Sequence, residues 1–505
     1  MSVLIIWRDF FMTTVTQVLD LKSYVNGEWV TSENTIEIIN PANQEVIAIA
    51  PRMTEQQTES AIQAARVAFD EGPWRQITAK ERAAILNAIA DKLEERLDEF
   101  TTLETMDNGK LRDEAEADIT DSIACFRYYA SIVLYPDGET YHVPDDVQAM
   151  VIKEPVGVAG LIVPWNFPLL MGVWKIAPAL AAGNTIVYKP AEITPITAFK
   201  LFEIFDEIGL PKGVANLVFG QGAVIGHKIA ESDDVDIVSF TGSTEVGRSI
   251  MKAAAGNLKK ISLELGGKSP NIIFADADLD VAVDYGLFGI YLGAGQVCSA
   301  GSRILVQDTI YDEYVERFVE RAKKIKVGPG LQEGVNVGAI VSEAQMKTIL
   351  DYIEKGKAEG ATLKAGGYRL TEDGLDKGFF IAPTVFTDVT QDMTIVREEI
   401  FGPVVTIQKF SSEEEAIQLA NDTDFGLAGG VFSSDGAKAL RVIKQVRAGI
   451  TWVNDYHPTY VEAPWGGYKQ SGIGRSLGKY SLEEFQEVKQ INIRLNVERN
   501  TWFPE

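Results

Sequence analysis

Apolar and polar residues follow different periods in different parts of the chain, and the first part predicts a hairpin and helices. Val25-Asn-Gly-Glu-Trp-Val30 alternates around Asn-Gly, which is typical of a tight β-hairpin. Apolar residues at helical spacing predict helices from Thr54 to about Gly72 and from Thr78 onward. Both have a Gln or Glu three residues after the threonine, as a capping box requires. Another helix is predicted over about residues 114–133.

After residue 156 the pattern becomes one of apolar strands alternating with helices. Val156 to Val163 is almost continuously apolar, as a strand buried on both faces requires. The turn Pro164-Trp-Asn-Phe-Pro168 leads into a predicted helix of about residues 169–182. This alternation predicts a parallel sheet with helices on both faces. Further elements are predicted at Thr185–Tyr188 (strand), 195–208 (helix), Val214–Val218 (strand) and Val235–Phe240 (strand).

A second α/β unit is predicted to begin near residue 268, because the same alternation resumes there. Its helices are predicted around 278–291, 308–325 and 342–359. Residues 484–498 alternate as a strand does, and we expect that strand to pair outside its own domain. The 505 residues are enough for two or three domains with a large core.

The charge of the chain limits the classes of partner that it can bind. With 72 acidic and 47 basic residues, the net charge is −25. Nucleic acids and anionic membranes need a basic surface, so both are excluded as partners. The negative charge is either a solvated acidic surface or a field that modestly favours a cationic substrate.

Cysteine and histidine usage argues against disulfides and zinc. Cys125 and Cys298 cannot form a disulfide framework, so we expect a reducing, cytoplasmic location. The histidines at 142, 227 and 457 are too few and too scattered for a zinc site, and no metal ligand set is predicted. The opening apolar run, which Arg8 ends, is too short for a signal peptide or a membrane helix, and Met12 is an alternative start.

Three residues carry candidate chemistry, each with a structural alternative. Cys298 lies between glycines that let backbone amides approach a substrate, but a lone cysteine is often a small buried apolar residue. Glu264, between two leucines, is either a base whose pKa is raised by burial or a surface residue on a strand edge. Asn166 either donates its amide to an oxyanion or caps a helix.

These residues belong to a series of six motifs in a fixed order. In chain order the motifs are Pro164-Trp-Asn-Phe-Pro168, Lys189-Pro-Ala-Glu192, Phe240-Thr-Gly-Ser243, Leu263-Glu-Leu-Gly-Gly267, Gly295-Gln-Val-Cys298 and Glu399-Ile-Phe-Gly-Pro403. The series, within residues 24–490, resembles the aldehyde dehydrogenase superfamily, and is most similar to its bacterial betaine aldehyde members. Six ordered motifs make a chance match a poor explanation.

The resemblance implies a thioester mechanism. Cys298 would attack the aldehyde, and the Asn166 side chain with the Cys298 backbone N–H would hold the oxyanion. Glu264 would then activate water to release a carboxylic acid. The family relays protons through a lysine, here Lys175, and a carboxylate, which this chain replaces with Ser476 in Gly474-Arg-Ser-Leu477. We therefore expect slower deacylation.

The resemblance also implies NAD as cofactor. Lys189 and Glu192 match the adenosine-ribose clamp, where a carboxylate repels a 2′-phosphate and disfavours NADP. Glu399 would hold the nicotinamide ribose, and Phe401 would pack near its ring. Ser243 opens a predicted helix that faces the pyrophosphate. The other predicted cofactor contacts are Pro164, Trp165, Gly222, Gly226, Phe240, Gly242 and Leu265.

Aromatic residues suggest which aldehyde is bound. Trp465, in Ala463-Pro-Trp-Gly-Gly467, resembles the tryptophan of betaine aldehyde and aminoaldehyde dehydrogenases, and Phe167 and Trp174 match two further tunnel positions. Such rings attract trimethylammonium by cation–π interaction. The alternatives are an ω-aminoaldehyde and a broad range of apolar aldehydes, because rings also bind by area alone. Phe167 lacks the usual tyrosine hydroxyl, and Leu292 replaces a fourth ring of some plant relatives.

The family fold implies two doubly wound parallel-sheet α/β domains and a small β flap. Residues 1–137 and 157–267 would form the NAD-binding domain, 268–480 the catalytic domain, and 138–156 with 481–505 the oligomerisation flap. A dimer or tetramer is expected. The family also implies a monovalent cation near Asp107 and the carbonyls of Ile38 and Ile193.

Two other classes of function use the same residues. The Cys298–Glu264 pair could cleave esters as a thiol hydrolase without any cofactor. A structural or binding protein on this fold is the second class, which the intact set of Cys298, Glu264 and Asn166 disfavours.

Overall fold

The computed structural model describes residues 18–135, 138–499, 502 and 503, so the alternative start at Met12 lies outside the described residues. In the described part of the chain, no helix has the length and apolar character needed to cross a membrane. The strands are β1 Leu19–Asp20, β2 Ser23–Val25, β3 Glu28–Val30, β4 Thr35–Ile39, β5 Val46–Pro51, β6 Glu139–Tyr141, β7 Val147–Pro155, β8 Val158–Ile162, β9 Thr185–Lys189, β10 Ala215–Leu217, β11 Ile237–Thr241, β12 Lys260–Glu264, β13 Pro270–Ile273, β14 Arg303–Gln307, β15 Thr362–Ala365, β16 Thr384–Thr387, β17 Val404–Phe410, β18 Phe425–Gly426, β19 Ala428–Phe432, β20 Ile450–Val453, β21 Tyr468–Lys469, β22 Gly472–Ile473 and β23 Gln486–Arg494. The helices are α1 Glu55–Asp70, α2 Ala79–Glu95, α3 Leu97–Asn108, α4 Arg112–Ile132, α5 Pro168–Ala182, α6 Ile196–Glu207, α7 His227–Glu231, α8 Thr244–Ala254, α9 Leu279–Tyr291, α10 Tyr311–Ala322, α11 Glu343–Ala358, α12 Thr394–Arg397, α13 Glu413–Asn421, α14 Gly436–Ile443 and α15 Gly478–Glu484.

The local signals near the N-terminus are confirmed. β2 and β3 pair as a hairpin through Asn26 and Gly27, whose φ angles of 53° and 76° suit the Asn-Gly turn. Thr54 and Thr78 cap α1 and α2, and each receives the reciprocal bond of a capping box. The helices therefore begin where the sequence predicts.

The predicted parallel sheet after residue 156 is present. Its eight strands run in the order β22-β12-β11-β8-β9-β10-β2-β3, and the pairs from β12 to β10 are parallel. Helix α5 follows β8 and ends at Gly183, whose φ of 95° is the left-handed conformation of a helix C-terminus. The turn between β8 and α5 thus lies at the carboxyl end of the sheet, where β12 also ends, with β11 between the two strands.

The second unit forms another sheet, in the order β15-β16-β17-β14-β13-β19-β20. The pairs from β16 to β20 are parallel, and only β15 runs antiparallel. Strand β22, from the same part of the chain, instead adds to the edge of the first sheet beside β12.

The terminal strand pairs far from its neighbours in sequence. β23 pairs antiparallel with β7 along its whole length, and β6 completes this three-stranded sheet. Strand β23 lies within the predicted range of 484–498. The division of the chain into three functional domains stays a prediction.

The sequence did not predict helix α3, between two predicted helical regions, because most of its buried residues are polar. Thr101, Glu104, Thr105, Asp107 and Asn108 are all buried there, so α3 has no continuous apolar stripe. Buried polar residues need hydrogen-bond partners from other elements, and the hydrophobic periodicity of a sequence does not reveal those partners.

Candidate active site

Three chain segments meet at one cavity of about 540 Å³. The turn before α5 contributes Asn166, and the end of β12 contributes Glu264. The segment after α9 contributes Cys298. The structure therefore brings together the three residues predicted to carry the chemistry.

Cys298 is partly exposed in this cavity. Burial, and next the charges of Glu399 and Glu264, raise the pKa of its thiol to about 12, while the backbone N–H groups of Ser299 and Cys298 oppose the rise. The resting thiol is therefore protonated at neutral pH. A thiolate is the nucleophilic form, so a base must take the proton before attack.

Asn166 points into the site and does not cap α5. Helix α5 has Phe167 at its N-cap with no side-chain bond, so the capping interpretation is wrong. Asn166 Nδ2 donates to the Gln296 carbonyl at 2.9 Å. Asn108 Nδ2 donates to the Trp165 carbonyl at 2.8 Å, which ties the turn to the end of α3.

Glu264 is buried, with 5% of its surface exposed, so the surface-residue interpretation is wrong. Neither carboxylate oxygen has a partner in hydrogen-bond geometry among the described residues. Burial raises the pKa of Glu264 strongly, and the charges of Lys175 and Arg475 oppose the rise, followed by the adjacent Ser476. The carboxyl is thus suited to exchange a proton near neutral pH.

Lys175 and Ser476 lie near this carboxyl. Lys175 is 2% exposed, and its Nζ donates to Ser239 Oγ at 3.1 Å. Burial lowers the pKa of Lys175, and the charge of Glu264 opposes that change. Ser476 is paired through its backbone with Trp465, which fixes its place beside Glu264.

The predicted ribose clamp and glycine loop lie side by side. Gly222 and Gly226 lie next to the Lys189 stem, and a Cβ on either would be in ordinary van der Waals contact with it, at 3.9 and 3.8 Å. Lys189 Nζ donates to the Pro190 carbonyl at 2.8 Å, and burial lowers its pKa to about 8. Glu192 forms an ion pair with Arg52 at 2.7 Å, a partner that the sequence did not predict.

Glu399, predicted to hold the nicotinamide ribose, lies close enough to Cys298 for its charge to raise the pKa of the thiol. Glu399 Oε1 accepts from the Gly267 N–H at 2.9 Å, and burial raises the Glu399 pKa to about 7. A Cβ at Gly266 would overlap the Glu399 carboxylate, so any larger residue there would displace that side chain. Phe401 packs edge-to-face on Trp165 at 5.2 Å between ring centroids.

The remaining predicted cofactor positions surround the end of β11. Phe240 and Leu265 belong to one buried apolar cluster, and a Cβ at Gly242 would press on the Phe240 ring. Ser243 precedes α8, as predicted, and its Oγ accepts from the Val246 N–H at 3.3 Å; its contact with the pyrophosphate stays a prediction. Pro164 immediately precedes Trp165 in the turn before α5.

Aromatic rings line much of the cavity. Trp174 and Trp465 pack edge-to-face at 5.6 Å, and both line the cavity with Phe167 and Leu292. The sequence did not predict that Tyr285, Phe288, Tyr456 and His457 line it too. Tyr456 and His457 follow strand β20, and Tyr285 and Phe288 are on α9.

Charged residues also line the cavity, and no sequence pattern identified them. Glu114, Asp118 and the exposed Asp121 are on α4. Lys110 Nζ lies 2.5 Å from Asp118 Oδ2 and 4.5 Å from the centroid of the Phe167 ring. An internal cation thus already covers one face of Phe167, which weakens the prediction that this ring binds the cation of a substrate.

The arrangement of Cys298, Asn166 and Glu264 agrees with the family that the sequence matches. The sequence profile of the aldehyde dehydrogenase family matches residues 29–491. The chain belongs to the aldehyde dehydrogenase family. The predicted family resemblance is therefore confirmed.

Relatives share nearly the whole chain. A betaine aldehyde dehydrogenase of Bacillus subtilis is 50% identical over 483 residues, which cover 95% of this chain and 99% of the relative. The peroxisomal aminoaldehyde dehydrogenase 1 of Pisum sativum is 44% identical, with 95% and 97% covered. A crystal structure of betaine aldehyde dehydrogenase from Staphylococcus aureus in complex with NAD⁺ is 49% identical with a TM-score of 0.95, covering 96% of this chain and 97% of that one. The predicted fold class, with its parallel α/β sheets, is confirmed.

Proposed function

We propose that this aldehyde dehydrogenase oxidises betaine aldehyde to its carboxylic acid with NAD, through an acyl intermediate on Cys298. The observation that carries the proposal is the convergence of Cys298, Asn166 and Glu264 on one aromatic cavity. The relatives of similar sequence, named for betaine aldehyde or aminoaldehyde, support the substrate class.

The reaction begins with the thiol. Cys298 loses its proton to water in the cavity, and its Sγ, now a thiolate, bonds to the aldehyde carbon. The carbonyl oxygen becomes an oxyanion, which the Asn166 amide and the Cys298 N–H stabilise. NAD, when bound, supplies the acceptor for the hydride of that carbon, which leaves a thioester on Cys298.

Hydrolysis completes the cycle. An aldehyde has no leaving group, so the acyl group must be oxidised before water can replace the sulfur. Glu264 takes a proton from water, and the oxygen of that water bonds to the acyl carbon as the Cys298 thiolate leaves. Lys175 would pass the proton outward, and Ser476, unlike a carboxylate, cannot hold it at neutral pH.

The cofactor groove fits NAD better than NADP. Glu192 presents a carboxylate that would accept ribose hydroxyls and repel a 2′-phosphate. Lys189 would hold the same ribose, and Glu399 the ribose next to the nicotinamide. Arg52 partly neutralises Glu192, so some use of NADP is expected.

The cavity favours a cationic aldehyde for three reasons. Trp174 and Trp465 pack edge-to-face in the cavity, and their aromatic faces can attract a cation by cation–π interaction. Asp121 adds negative charge at the exposed edge of the cavity. Burial lowers the pKa of His457 to about 4, so this residue is neutral and does not repel a cation. An ω-aminoaldehyde would use the same features, and broad specificity is the remaining alternative.

The exposed edge of the flap supports a dimer or tetramer. Val488 and Ile493 of β23 are 68% and 43% exposed on a strand whose other edge pairs with β7. Such an edge is suited to pairing with a second copy. A cytoplasmic location, inferred from two free cysteines, is part of the same proposal.

A monovalent cation fits beside Asp107. Its Oδ1 is buried without a hydrogen-bond partner among the described residues, while Oδ2 accepts from the Ile196 N–H at 2.9 Å. The carbonyls of Ile38 and Ile193 would complete such a site. A bound cation would neutralise a carboxyl whose pKa burial raises well above its usual range.

Absorbance at 340 nm tests the proposed function. Betaine aldehyde with NAD should give NADH, and Cys298→Ser should reduce the rate by several orders of magnitude. Ester cleavage without NAD, but no NADH from any aldehyde, would instead support the thiol hydrolase. Equal rates for betaine aldehyde and for aliphatic aldehydes of its size would contradict the proposed substrate.

A further inference from the structure

The amide of Asn166 is already engaged by the loop that precedes Cys298. Asn166 Nδ2 donates to the main-chain carbonyl of Gln296 at 2.9 Å, and both residues are buried. A carbonyl only accepts, so this contact fixes which end of the Asn166 amide carries the N–H groups. One N–H is held by Gln296, and the second remains to bind an oxyanion.

The Gln296 carbonyl is itself held in place by the Gln296 side chain. Its Nε2 donates to the carbonyls of Gly293, at 3.2 Å, and Ala339, at 3.4 Å. Its Oε1 accepts from the Val341 N–H at 3.0 Å. The side chain therefore links the cysteine loop to the chain before α11.

This loop has an unusual backbone that needs such support. Gly293, Ala294 and Gly295 have φ angles of 57°, 56° and 73°, which is a left-handed stretch that includes one non-glycine residue. Residues with side chains disfavour that region, so surrounding contacts must hold it. Side chains bind both main-chain groups of Gly293: Glu114 Oε1 accepts from its N–H at 2.8 Å, and Gln296 Nε2 donates to its carbonyl.

We propose that Gln296 is a positioning residue for the oxyanion site, because it links the left-handed loop held by Glu114 to the Asn166 amide. Gln296 touches neither of the proposed reacting atoms. It sets the direction of the free Asn166 N–H and the approach of the Cys298 loop together. The inference rests on the proposed function, since it assumes that Asn166 stabilises the oxyanion.

Gln296→Met tests the proposal, because methionine keeps the length of the side chain and removes its hydrogen bonds. The measurement is the rate constant of the first NADH turnover with betaine aldehyde, along with KM and the melting temperature. Gln408→Met is the matched control: Gln408 is also buried, on β17, but it bonds to Val389 and does not line the cavity.

We expect Gln296→Met to slow the first turnover about 10- to 100-fold with little change in KM, because only the transition state carries the oxyanion. Gln408→Met should leave this rate unchanged. In an Asn166→Ala background, the Gln296 substitution should cost almost nothing more, because both changes remove the same stabilisation.

If Gln296→Met slows the first turnover by the same factor in the Asn166→Ala background as in the unmodified enzyme, the proposal is overturned, while the proposed function stays intact. An unchanged first turnover in Asn166→Ala alone would contradict the proposed function itself. Should Gln296→Met fail to fold, Glu114→Gln replaces it. Glu114 binds the N–H groups of Gly293 and Leu111 through different oxygens, and glutamine replaces one of these oxygens with an NH₂ group that cannot accept, so the same non-additive result is expected.

Discussion

The ring of Trp465 should distinguish a charged aldehyde from a neutral one of the same shape. Betaine aldehyde and 3,3-dimethylbutanal have the same outline, with N⁺ in one where the other has carbon. Both lose similar apolar contact when Trp465 is replaced by leucine. Only betaine aldehyde loses a cation–π interaction, worth ~0.5–2 kcal/mol.

The size of the effect follows from this difference. A free-energy loss of ~0.5–2 kcal/mol corresponds to about a 2- to 30-fold loss. We therefore expect Trp465→Leu to lower the ratio of kcat/KM for betaine aldehyde over 3,3-dimethylbutanal by that factor. The ring is 8% exposed and packs on Trp174, so it is fixed well enough for the upper half of this range.

Two control variants make the assay specific. Trp465→Phe keeps an aromatic face and should retain most of the ratio. Phe167→Leu should lower both rates alike, because Lys110 already lies over the Phe167 ring. If Trp465→Leu reduces both substrates by one factor, the cation-binding argument is wrong and the ring acts by area alone.

Three further predictions concern the base, the cofactor and the relay. Glu264→Gln should preserve a first burst of NADH but abolish steady turnover. Burial raises the pKa of this carboxyl, so deacylation by the unmodified enzyme should rise with pH through neutrality as the group loses its proton. A Glu264→Gln variant that keeps this pH dependence would show that another group is the base. Glu192→Gln should lower the ratio of kcat/KM with NAD to kcat/KM with NADP. Arg52→Gln should raise this ratio, because it removes the cation that can bind a 2′-phosphate. Unchanged ratios would contradict both roles. Ser476→Glu should speed deacylation and alter its pH profile, since it restores the relay carboxylate; unchanged turnover and profile would count against the relay.

Much of the fold could be predicted because local signals agree with it. The capping box at Thr54, the Asn-Gly turn at Asn26 and the apolar run of β8 each act over a few residues. The ordered motifs located Cys298, Glu264 and Asn166. The structural alternatives for Glu264 and Asn166 are excluded by the burial of Glu264 and by the N-cap of α5.

The contacts that complete the site could not be predicted, because they join distant segments. Helix α3 buries polar residues, so periodicity gave no signal for it. Lys110 reaches Phe167 and Asp118, and Arg52 reaches Glu192, only after folding. Nothing in the local sequence of Glu114 indicates that it holds Gly293, 179 positions away.

The central claim is that Cys298 carries an acyl intermediate, and mass spectrometry of the protein tests it most directly. Glu264→Gln should form the thioester but hydrolyse it slowly, so protein mixed with betaine aldehyde and NAD should gain the mass of one acyl group. Peptide mapping should place that mass on Cys298, and Cys298→Ala should show no gain. NADH formed at the wild-type rate by Cys298→Ala, or an acyl group mapped to another residue, would contradict the account.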